Sequence, residues 1–328
     1  MNRKYDVISF GSAALDIFIR TNDFLVRKEP KFINKRGLCF PFGLKNRIEK
    51  LEVSSGGGGT NVAATFVNHG LNTAYCGVMG NDWAGNEVFH ELQRRGIDTS
   101  LITRIENIQT NTSVIFSLSN DRTIFISRSA SQYLNKKNIP WKKLKTDWIY
   151  LAPLSGKLLN IFGPLVEFAF RNKIKIMANL GIGQLKLNKR SLKLLLDKID
   201  IVLLNQEEAS LLTSVPYTAE KKLFNHLDEI IKGLAIMTKG KKGVIASDGE
   251  YIWKAKSLLA KKIIEKTGTG DAFGAGFLVE IIKGKDVSSA LQFGIANAHS
   301  CLGALGAKNG LLKKNQCFKK VKIIKKKL

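Results

Sequence analysis

The chain has 328 residues, of which 44% are hydrophobic, and its 52 lysines and arginines against 27 aspartates and glutamates give a formal net charge of +25. A chain of this length and apolar content can bury a full core, which excludes a disordered protein and a small disulfide-stabilised scaffold. The four cysteines form no C-x-x-C pair and no two of the four histidines have ligand spacing, so no structural zinc site is predicted.

Short β-rich runs alternate with amphipathic helical runs over most of the chain. Predicted helices cover residues 83–95 and 207–212, and predicted strands cover residues 5–10, 73–79, 147–152, 174–178, 200–204, 234–238 and 243–247. This repeated alternation predicts an α/β fold, a doubly wound and mostly parallel sheet flanked by helices. Such sheets bind ligands at the carboxyl ends of their strands.

Two segments depart from the alternation and predict a small β-lid at about residues 17–50 and 110–128. Residues 111–118 and 123–127 alternate polar and apolar side chains around a turn at 120–122, which predicts an antiparallel hairpin with one solvent-facing side. The stretch 17–50 has no regular pattern and is taken as irregular. Because no repeat and no Pro/Gly/Ser-rich linker divides the chain, residues 1–312 are predicted to form one domain.

The excess of positive charge does not by itself predict a specific nucleic-acid partner. Only 12 of the 52 basic residues are arginine, which base reading and bidentate phosphate binding favour. Eight lysines between Lys313 and Lys327 predict a solvated, frayed C-terminal tail over residues 313–328. Since the sequence shows neither a signal peptide nor an apolar run of membrane-spanning length, we expect a cytoplasmic protein with no membrane partner.

The most informative motif is the run K-T-G-T-G-D-A-F-G-A-G-F at residues 266–277. Glycines just before a helix permit tight backbone geometry, and the N–H groups of the first turn then form an anion site at the positive end of the helix dipole. Asp271 falls in that first turn, where its carboxylate can accept a proton from an attacking hydroxyl. The alternative is that Asp271 only caps the helix.

A second glycine cluster, S-S-G-G-G-G-T-N-V-A at residues 54–63, also leads into a helix. Its glycines let the backbone approach a ligand closely, and the amide of Asn61 can both donate to and accept from hydroxyl groups. A flexible linker is the alternative, although a linker would not run directly into an apolar helix. The sequence contains neither a Walker A loop nor a dinucleotide-binding G-x-G-x-x-G, and it lacks the H-R-D and D-F-G signatures of protein kinases.

These motifs resemble the signatures of the ribokinase (PfkB-type) carbohydrate kinases. The glycine cluster, with G-V-M-G-N-D-W-A-G at 77–85, resembles the first family signature, and the run at 267–277 resembles the second. N-Q-E-E at 205–208 is similar to the family's N-x-x-E element, and T-K-G at 238–240 with Gly243 is similar to its nucleotide strand. G-S-A-A-L-D at 11–16 is similar to its first strand with the substrate aspartate. These five elements follow the family's order along nearly the whole chain.

The resemblance implies a ribokinase-like fold and transfer of a phosphoryl group from ATP, with Mg²⁺, to a hydroxyl of a small sugar or nucleoside. The general base would be Asp271, and the anion hole would be formed by Gly268, Thr269 and Gly270. The acceptor would be bound by Asp16, Gly57 and Asn61. Magnesium would be held, through water, by Asn205 and Glu208. The nucleotide would be contacted by Asn205, Thr238, Gly240, Gly243 and Asn297. Without such a ligand, Asp16 would only cap a strand end, and Asn205 with Glu208 would only begin a helix.

Several positions depart from the family pattern. Relatives often have Asp-Thr-Thr before the anion hole, a run that helps to bind a monovalent cation. This chain has Glu265-Lys266-Thr267 instead. Because the Lys266 amine can supply the positive charge of that cation, potassium activation is not favoured. Gly58 stands where many phosphosugar and ribose kinases have lysine, which favours an unphosphorylated acceptor. Ile295 stands where relatives often have an asparagine or histidine near the adenine, so the base of the nucleotide is left open.

Two alternatives to a neutral sugar or nucleoside kinase remain at this point. The first is a phosphosugar kinase of the same family, which the positive charges of Arg122 and Arg128 in the lid would favour. The second is a non-catalytic polyanion-binding protein on the kinase scaffold, with the basic surface as its working face. For the assembly, the exposed edge of the lid hairpin favours a homodimer formed through the lid.

Overall fold

The computed structural model describes residues 5–21, 23–32, 35–118, 121–260 and 263–328. Within these ranges one large sheet contains ten strands, which are β1 (Tyr5–Phe10), β6 (Thr73–Gly80), β7 (Ile102–Ile105), β10 (Thr146–Leu151), β11 (Lys175–Asn179), β12 (Ile201–Asn205), β13 (Leu234–Thr238), β14 (Val244–Ser247), β15 (Tyr251–Ala255) and β16 (Ile323–Lys327). Their order across the sheet is β16-β15-β14-β13-β12-β11-β10-β1-β6-β7.

The strands from β7 across to β13 run parallel, and β14, β15 and β16 complete the sheet in antiparallel pairs. At the centre of the sheet, Val7 of β1 lies opposite Trp148 of β10 on one side and Thr73 of β6 on the other. Every residue of β6 is buried, as expected for a parallel strand covered on both faces. The doubly wound, mostly parallel sheet predicted from the sequence is therefore confirmed.

Helices cover both faces of the sheet. Alternate residues of β1 point to opposite sides, so Val7 packs in one apolar cluster and Ile8 in another. The first face carries α1 (Gly58–Asn68), α8 (Thr269–Ile282) and α9 (Val287–Cys301), and the second carries α3 (Phe162–Arg171), α4 (Ile182–Leu185), α5 (Lys189–Leu196), α6 (Gln206–Thr213) and α7 (Glu220–Ile230). A third cluster joins α2 (Trp83–Arg94) to Tyr75 and Met79. Across the described ranges, none of the helices has the combined length and hydropathy needed to cross a bilayer.

A second, four-stranded sheet forms the lid. Its strands are β2 (Ala14–Arg20), β5 (Lys50–Gly56), β8 (Asn111–Leu118) and β9 (Asp121–Ser127), in the order β5-β2-β8-β9, and a separate hairpin pairs β3 (Leu25–Lys28) with β4 (Arg36–Cys39). The hairpin strands lie where the alternation predicted them, except that β9 begins at Asp121, so residues 121 and 122 of the predicted turn belong to the strand. Residue 120 of that turn, like 22, 33 and 34 of the first lid segment, lies outside the described residues. The stretch 17–50 is only partly irregular, because it contains the end of β2, the β3–β4 hairpin and the first residue of β5, and the lid extends from Ala14 to Gly56.

Large apolar side chains on the lid are exposed to solvent. Phe42 is fully exposed, and more than half of the surface of Leu25, Phe125 and Ile126 is exposed. Exposed apolar groups concentrated on one element are typical of a surface that binds a partner. The homodimer through the lid stays a prediction that this feature supports.

The lysine-rich C-terminal segment is not the frayed tail that its composition predicted. Residues 323–327 form β16, which pairs antiparallel with β15 at the edge of the main sheet, with Trp253 opposite Lys325. The Lys325 amine lies 3.8 Å from the ring centroid of Tyr251, and the partly buried Ile323 packs against the core. Lysines suit an exposed edge strand because their charge opposes pairing with another chain, so the composition was compatible with an ordered strand.

Candidate active site

A cavity of ≈ 490 Å³ lies at the carboxyl ends of β12 and β13, beside the start of α8. Four residues predicted to contact a nucleotide line it, namely Asn205, Thr238, Gly240 and Gly243. Thr269 and Gly270 of the predicted anion hole also line it, together with the apolar side chains of Leu258, Leu259, Ile263, Phe273, Ile295 and Leu302. The cavity thus combines an apolar wall with a helix N-terminus, which suits a ligand that has one flat apolar part and one anionic part.

The predicted anion-hole loop, residues 266–270, has a geometry at Gly268 that only glycine fits. Gly268 has a φ of +78°, and a Cβ at this position would lie 2.3 Å from the Cβ of Ala307. The helix α8 begins at the next residue, and its first turn contains Thr269, Gly270 and Asp271. The first N–H groups of a helix have no partner within the helix, so this turn presents donors and the positive dipole end to an anion.

Asp271 connects the two glycine motifs. Its Oδ2 accepts a hydrogen bond of 2.9 Å from Nδ2 of Asn61, in α1. Burial raises the pKa of the Asp271 carboxyl to about 6, while the Asn61 hydrogen bond and the charge of Lys308 act in the opposite direction. A Cβ on Gly58 would lie 3.6 Å from Oδ1 of Asp271, so the glycine loop lies against the carboxylate. Asp271 therefore lies between the two glycine motifs with a raised pKa, which is compatible with the predicted role of general base.

The predicted acceptor residues come together on the lid side of Asp271. Asp16 lies within β2 and is 4% exposed, and a Cβ on Gly56 would lie 2.0 Å from its Oδ2. Burial raises the pKa of Asp16, against the effects of a hydrogen bond from Ser113 and the charge of Lys308. Gly57 precedes α1 with a φ of +94°. These contacts place Asp16 in the interior of a strand, which excludes the strand-end cap considered above.

Asn61 offers an unused acceptor at this point. Its side chain is 5% exposed, and within the part of the chain that the structure describes no group donates a hydrogen bond to its Oδ1. A buried amide oxygen without a donor is costly, since most buried polar groups are hydrogen-bonded. A hydroxyl of a bound ligand would satisfy it.

Asn205 and Glu208 form a capping box at the start of α6. The Asn205 Oδ1 accepts from the Glu208 N–H at 2.9 Å, and the Glu208 Oε2 accepts from the Asn205 N–H at 2.7 Å. Burial raises the pKa of Glu208. Among the described residues, no group of three or more His, Cys, Asp or Glu side chains could hold a metal ion. One carboxylate beside the cavity fits a magnesium ion that keeps several waters and takes few protein ligands.

The structure does not place Asn297 at the cavity, and the prediction that it contacts the nucleotide is corrected. Its side chain is fully buried between helices, where Nδ2 donates to the Thr65 hydroxyl and to the carbonyl of Ala272, and Oδ1 accepts from the N–H of Leu312. All of its polar atoms are occupied in the core. The neighbouring lining residues from α9 are Ile295, Ala298 and His299.

Two charged contacts near the site had not been predicted. Lys308 is 1% exposed and donates from Nζ to Ser55. Arg122 of the lid pairs with Glu265, whose Oε1 lies 3.3 Å from the guanidinium and also accepts from the N–H groups of Lys266 and Thr267. A lone lysine within the small and apolar run G-A-L-G-A-K-N-G-L-L at 303–312 was the available signal for the first. No local pattern signalled the second.

Because the Arg122–Glu265 pair joins the lid to the anion-hole loop, we expect Arg122→Ala to destabilise the protein. Glu265 is 4% exposed, and removing its partner leaves a buried carboxylate less well compensated. The free energy of unfolding should fall by about 1–3 kcal/mol, measured by urea denaturation at pH 7. The matched control is Arg128→Ala, since Arg128 is exposed on the same lid and its loss should change little. Equal stability of the two variants would contradict a joining role for Arg122.

Comparisons with known proteins agree with this geometry. A family model described as pfkB family carbohydrate kinase matches residues 20–314. A ribokinase of Haemophilus influenzae is 26% identical over 277 residues, covering 80% of this chain and 86% of that protein. A nucleoside kinase of Methanothermobacter thermautotrophicus is 25% identical over 304 residues, covering 91% of this chain and 89% of that protein.

A solved structure shows the same architecture. The structure of Arabidopsis thaliana ribokinase complexed with ribose and ATP matches with a TM-score of 0.76 at 20% identity, and the match covers 95% of this chain and 96% of that one. At this level of identity the likeness concerns the fold. The ribokinase-like fold expected from the motifs is thereby confirmed.

Proposed function

The chain belongs to the pfkB family of carbohydrate kinases, and on this premise we propose that it transfers the γ-phosphoryl group of ATP to a hydroxyl of an unphosphorylated small sugar or nucleoside. The observation that carries the proposal is the contact between Asn61 and Asp271. It brings an acceptor-binding amide, a carboxylate of raised pKa and the N-terminus of α8 to one point. Phosphoryl transfer needs this combination, because its catalysis consists mainly of positioning and electrostatic stabilisation.

In the proposed reaction each group of the chain has a defined task. Asp16 and the free Oδ1 of Asn61 accept hydrogen bonds from hydroxyls of the acceptor and orient it. Asp271 accepts the proton of the attacking hydroxyl. The N–H groups at the start of α8, from Gly268 to Gly270, stabilise the charge on the transferring group. Base and anion hole belong to the same helical turn, so one element aligns both.

The cavity at the ends of β12 and β13 is the proposed nucleotide site. Thr238, Gly240 and Gly243 line it, and its apolar wall suits a purine ring. Asn205 and Glu208 would hold magnesium, in part through water, and the ion would neutralise phosphate charge. Nothing in this assignment depends on a monovalent cation, since Arg122 supplies a positive charge to Glu265.

An unphosphorylated acceptor is favoured over a phosphosugar by the charges in the lid. The phosphosugar alternative drew on Arg122 and Arg128, but Arg122 is paired with the buried Glu265. Next to Asp271 the acceptor side presents the carboxylate of Asp16 and the amide of Asn61, which suit hydroxyl groups. The glycine at position 58 adds no cation there.

A panel of acceptors assayed for ADP release tests the proposal. Ribose, fructose, adenosine and cytidine represent the proposed class, and fructose 6-phosphate represents the alternative. We expect ATP-dependent and magnesium-dependent turnover with at least one neutral acceptor. Turnover with fructose 6-phosphate alone would favour the phosphosugar kinase. No turnover with any acceptor, together with duplex DNA binding that falls steeply with salt, would favour the non-catalytic polyanion-binding protein.

A further inference from the structure

Lys308 lies buried behind the acceptor site, in the loop that follows α9. Its side chain is 1% exposed, and its Nζ donates to the carbonyl of Ser55 at 2.8 Å and to the Ser55 hydroxyl at 2.7 Å. A buried ammonium group is costly unless hydrogen bonds and opposite charges compensate it. Burial lowers the pKa of Lys308 to about 8, against the charges of Glu91, Asp16 and Asp271, so the amine is protonated at pH 7 and below.

The contacts of Lys308 converge on the point where the lid joins the main domain. Ser55 is the penultimate residue of β5, the lid strand that leads directly into the glycine loop. On its other side, the N–H of Ser55 donates to Glu91 at 3.1 Å, and Glu91 in turn accepts from Arg95 at 2.8 Å. A negative and a positive side chain therefore hold the two backbone polar groups of one residue, which anchors the exit from the lid.

Ser55 also links Lys308 to the predicted acceptor site. Gly56 follows Ser55 and lies against the Asp16 carboxylate, since a Cβ added to Gly56 would lie 2.0 Å from Oδ2 of Asp16. The charged groups whose charge acts on Lys308 are Glu91 of α2, Arg95 just after α2, Asp16 of β2 and Asp271 of α8. Asp16 is also faced by Glu265. Lys308 is therefore a cation whose charge acts on three carboxylates, those of Glu91, Asp16 and Asp271.

We propose that Lys308 is a positioning residue of the phosphoryl-transfer site: it anchors β5 at Ser55 and supplies a positive charge that favours the ionised forms of Asp16 and Asp271. The assignment of these two carboxylates rests on the proposed function. The anchor and the charge are separable, because glutamine at this position can still donate a hydrogen bond to Ser55 but is neutral. A merely structural lysine would need only the anchor.

The first test measures the two carboxylates without any acceptor. Protein with ¹³Cγ-labelled aspartate is titrated by NMR, and the resonances of Asp16 and Asp271 are assigned by their loss in D16N and D271N. In Lys308→Gln we expect both pKa values to rise, that of Asp271 by roughly half to one pH unit. The matched control is Lys314→Gln, since Lys314 is exposed, and it should titrate as the wild type does. Unchanged titration in a folded Lys308→Gln protein would overturn the proposal.

The second test follows the pH profile of turnover with the best neutral acceptor of the panel. In Lys308→Gln the acid limb of kcat/KM should move to higher pH, with a loss of about two- to fivefold at pH 6, and Lys308→Arg should restore part of it. A uniform loss at all pH values would assign Lys308 to structure alone, as would failure of the glutamine variant to fold. Absence of turnover in the wild type would contradict the proposed function, while the NMR titration would still decide the role of Lys308.

Discussion

Asp271→Asn is expected to lower kcat by about 10²–10⁴-fold and to leave the fold intact. The substitution keeps the size of the side chain and a carbonyl oxygen that can still accept from Asn61. It removes the property on which proton transfer depends, which is the basicity of the carboxylate. A rate assay of ADP release at saturating ATP and acceptor measures the effect.

The acidity of the same carboxyl determines the expected pH dependence. Burial raises the pKa of Asp271 from 3.8 to about 6, so the base form is lost as the pH falls through 6, and kcat/KM should fall about tenfold per pH unit below it. Between pH 3.8 and about 6 the folded state binds this proton more tightly than the unfolded state, and stability therefore decreases as the pH rises through this window. Asp271→Asn carries no charge and should be at least as stable as the wild type at pH 7.

Asp286→Asn is the matched control for Asp271. Asp286 is exposed at the start of α9, where its Oδ1 accepts from the N–H of Ser289 at 2.8 Å. Asparagine caps a helix about as well as aspartate does, so both stability and turnover should be close to wild type. If Asp271→Asn kept turnover within about threefold of this control, Asp271 would be a helix residue and not the base.

Asp16→Asn is expected to lower kcat/KM by about 10–100-fold, chiefly through a higher KM for the acceptor. A carboxylate accepts stronger hydrogen bonds from hydroxyls than an amide does, and this one is 4% exposed, so solvent screens it little. The KM for ATP should change little, since the cavity lined by Thr238 and Gly243 does not include Asp16. Steady-state kinetics with each substrate varied in turn separates the two effects.

The sign of the stability change distinguishes a binding residue from a structural one. Burial raises the pKa of Asp16, so at a pH above the pKa of the unfolded state the charged carboxylate makes folding less favourable. The neutral asparagine should therefore not destabilise the protein at pH 7. Asp23→Asn, on the exposed surface of the lid, is the control and should leave both KM values unchanged. A large loss of stability in Asp16→Asn with an unchanged acceptor KM would contradict the proposed binding role.

Local patterns were sufficient to predict most of the strands that carry the site. The strands at 5–10 and 234–238 have the predicted bounds, and the others named from the sequence begin or end within one residue or so. Their apolar β-rich runs can be buried on both faces, which leaves few alternatives to a parallel sheet. The lid strand β5 was missed because its first half faces solvent, and Leu51 and Val53 remain exposed in the structure.

Polar residues were predicted less well where their partners are distant in sequence. Asn297 stands near the end of an apolar helix, and only the packing of α9 against α1 and α8 decides that its amide is consumed in the core. The lysines of residues 313–328 suggested a solvated tail, since composition alone does not report that an unpaired sheet edge lies within reach.

By itself the sequence determined the glycines, the position of Asp271 at a helix start and the order of the motifs, because backbone freedom and helix initiation depend on residues that are neighbours in the chain. Only the tertiary structure decided which charges and amides meet. Asn61 contacts Asp271 from 210 residues away, and Lys308 contacts Ser55 from 253 residues away. The pKa of a carboxyl and the cost of a buried amine depend on such distant partners and on the solvent they exclude, and neither is written in a local pattern.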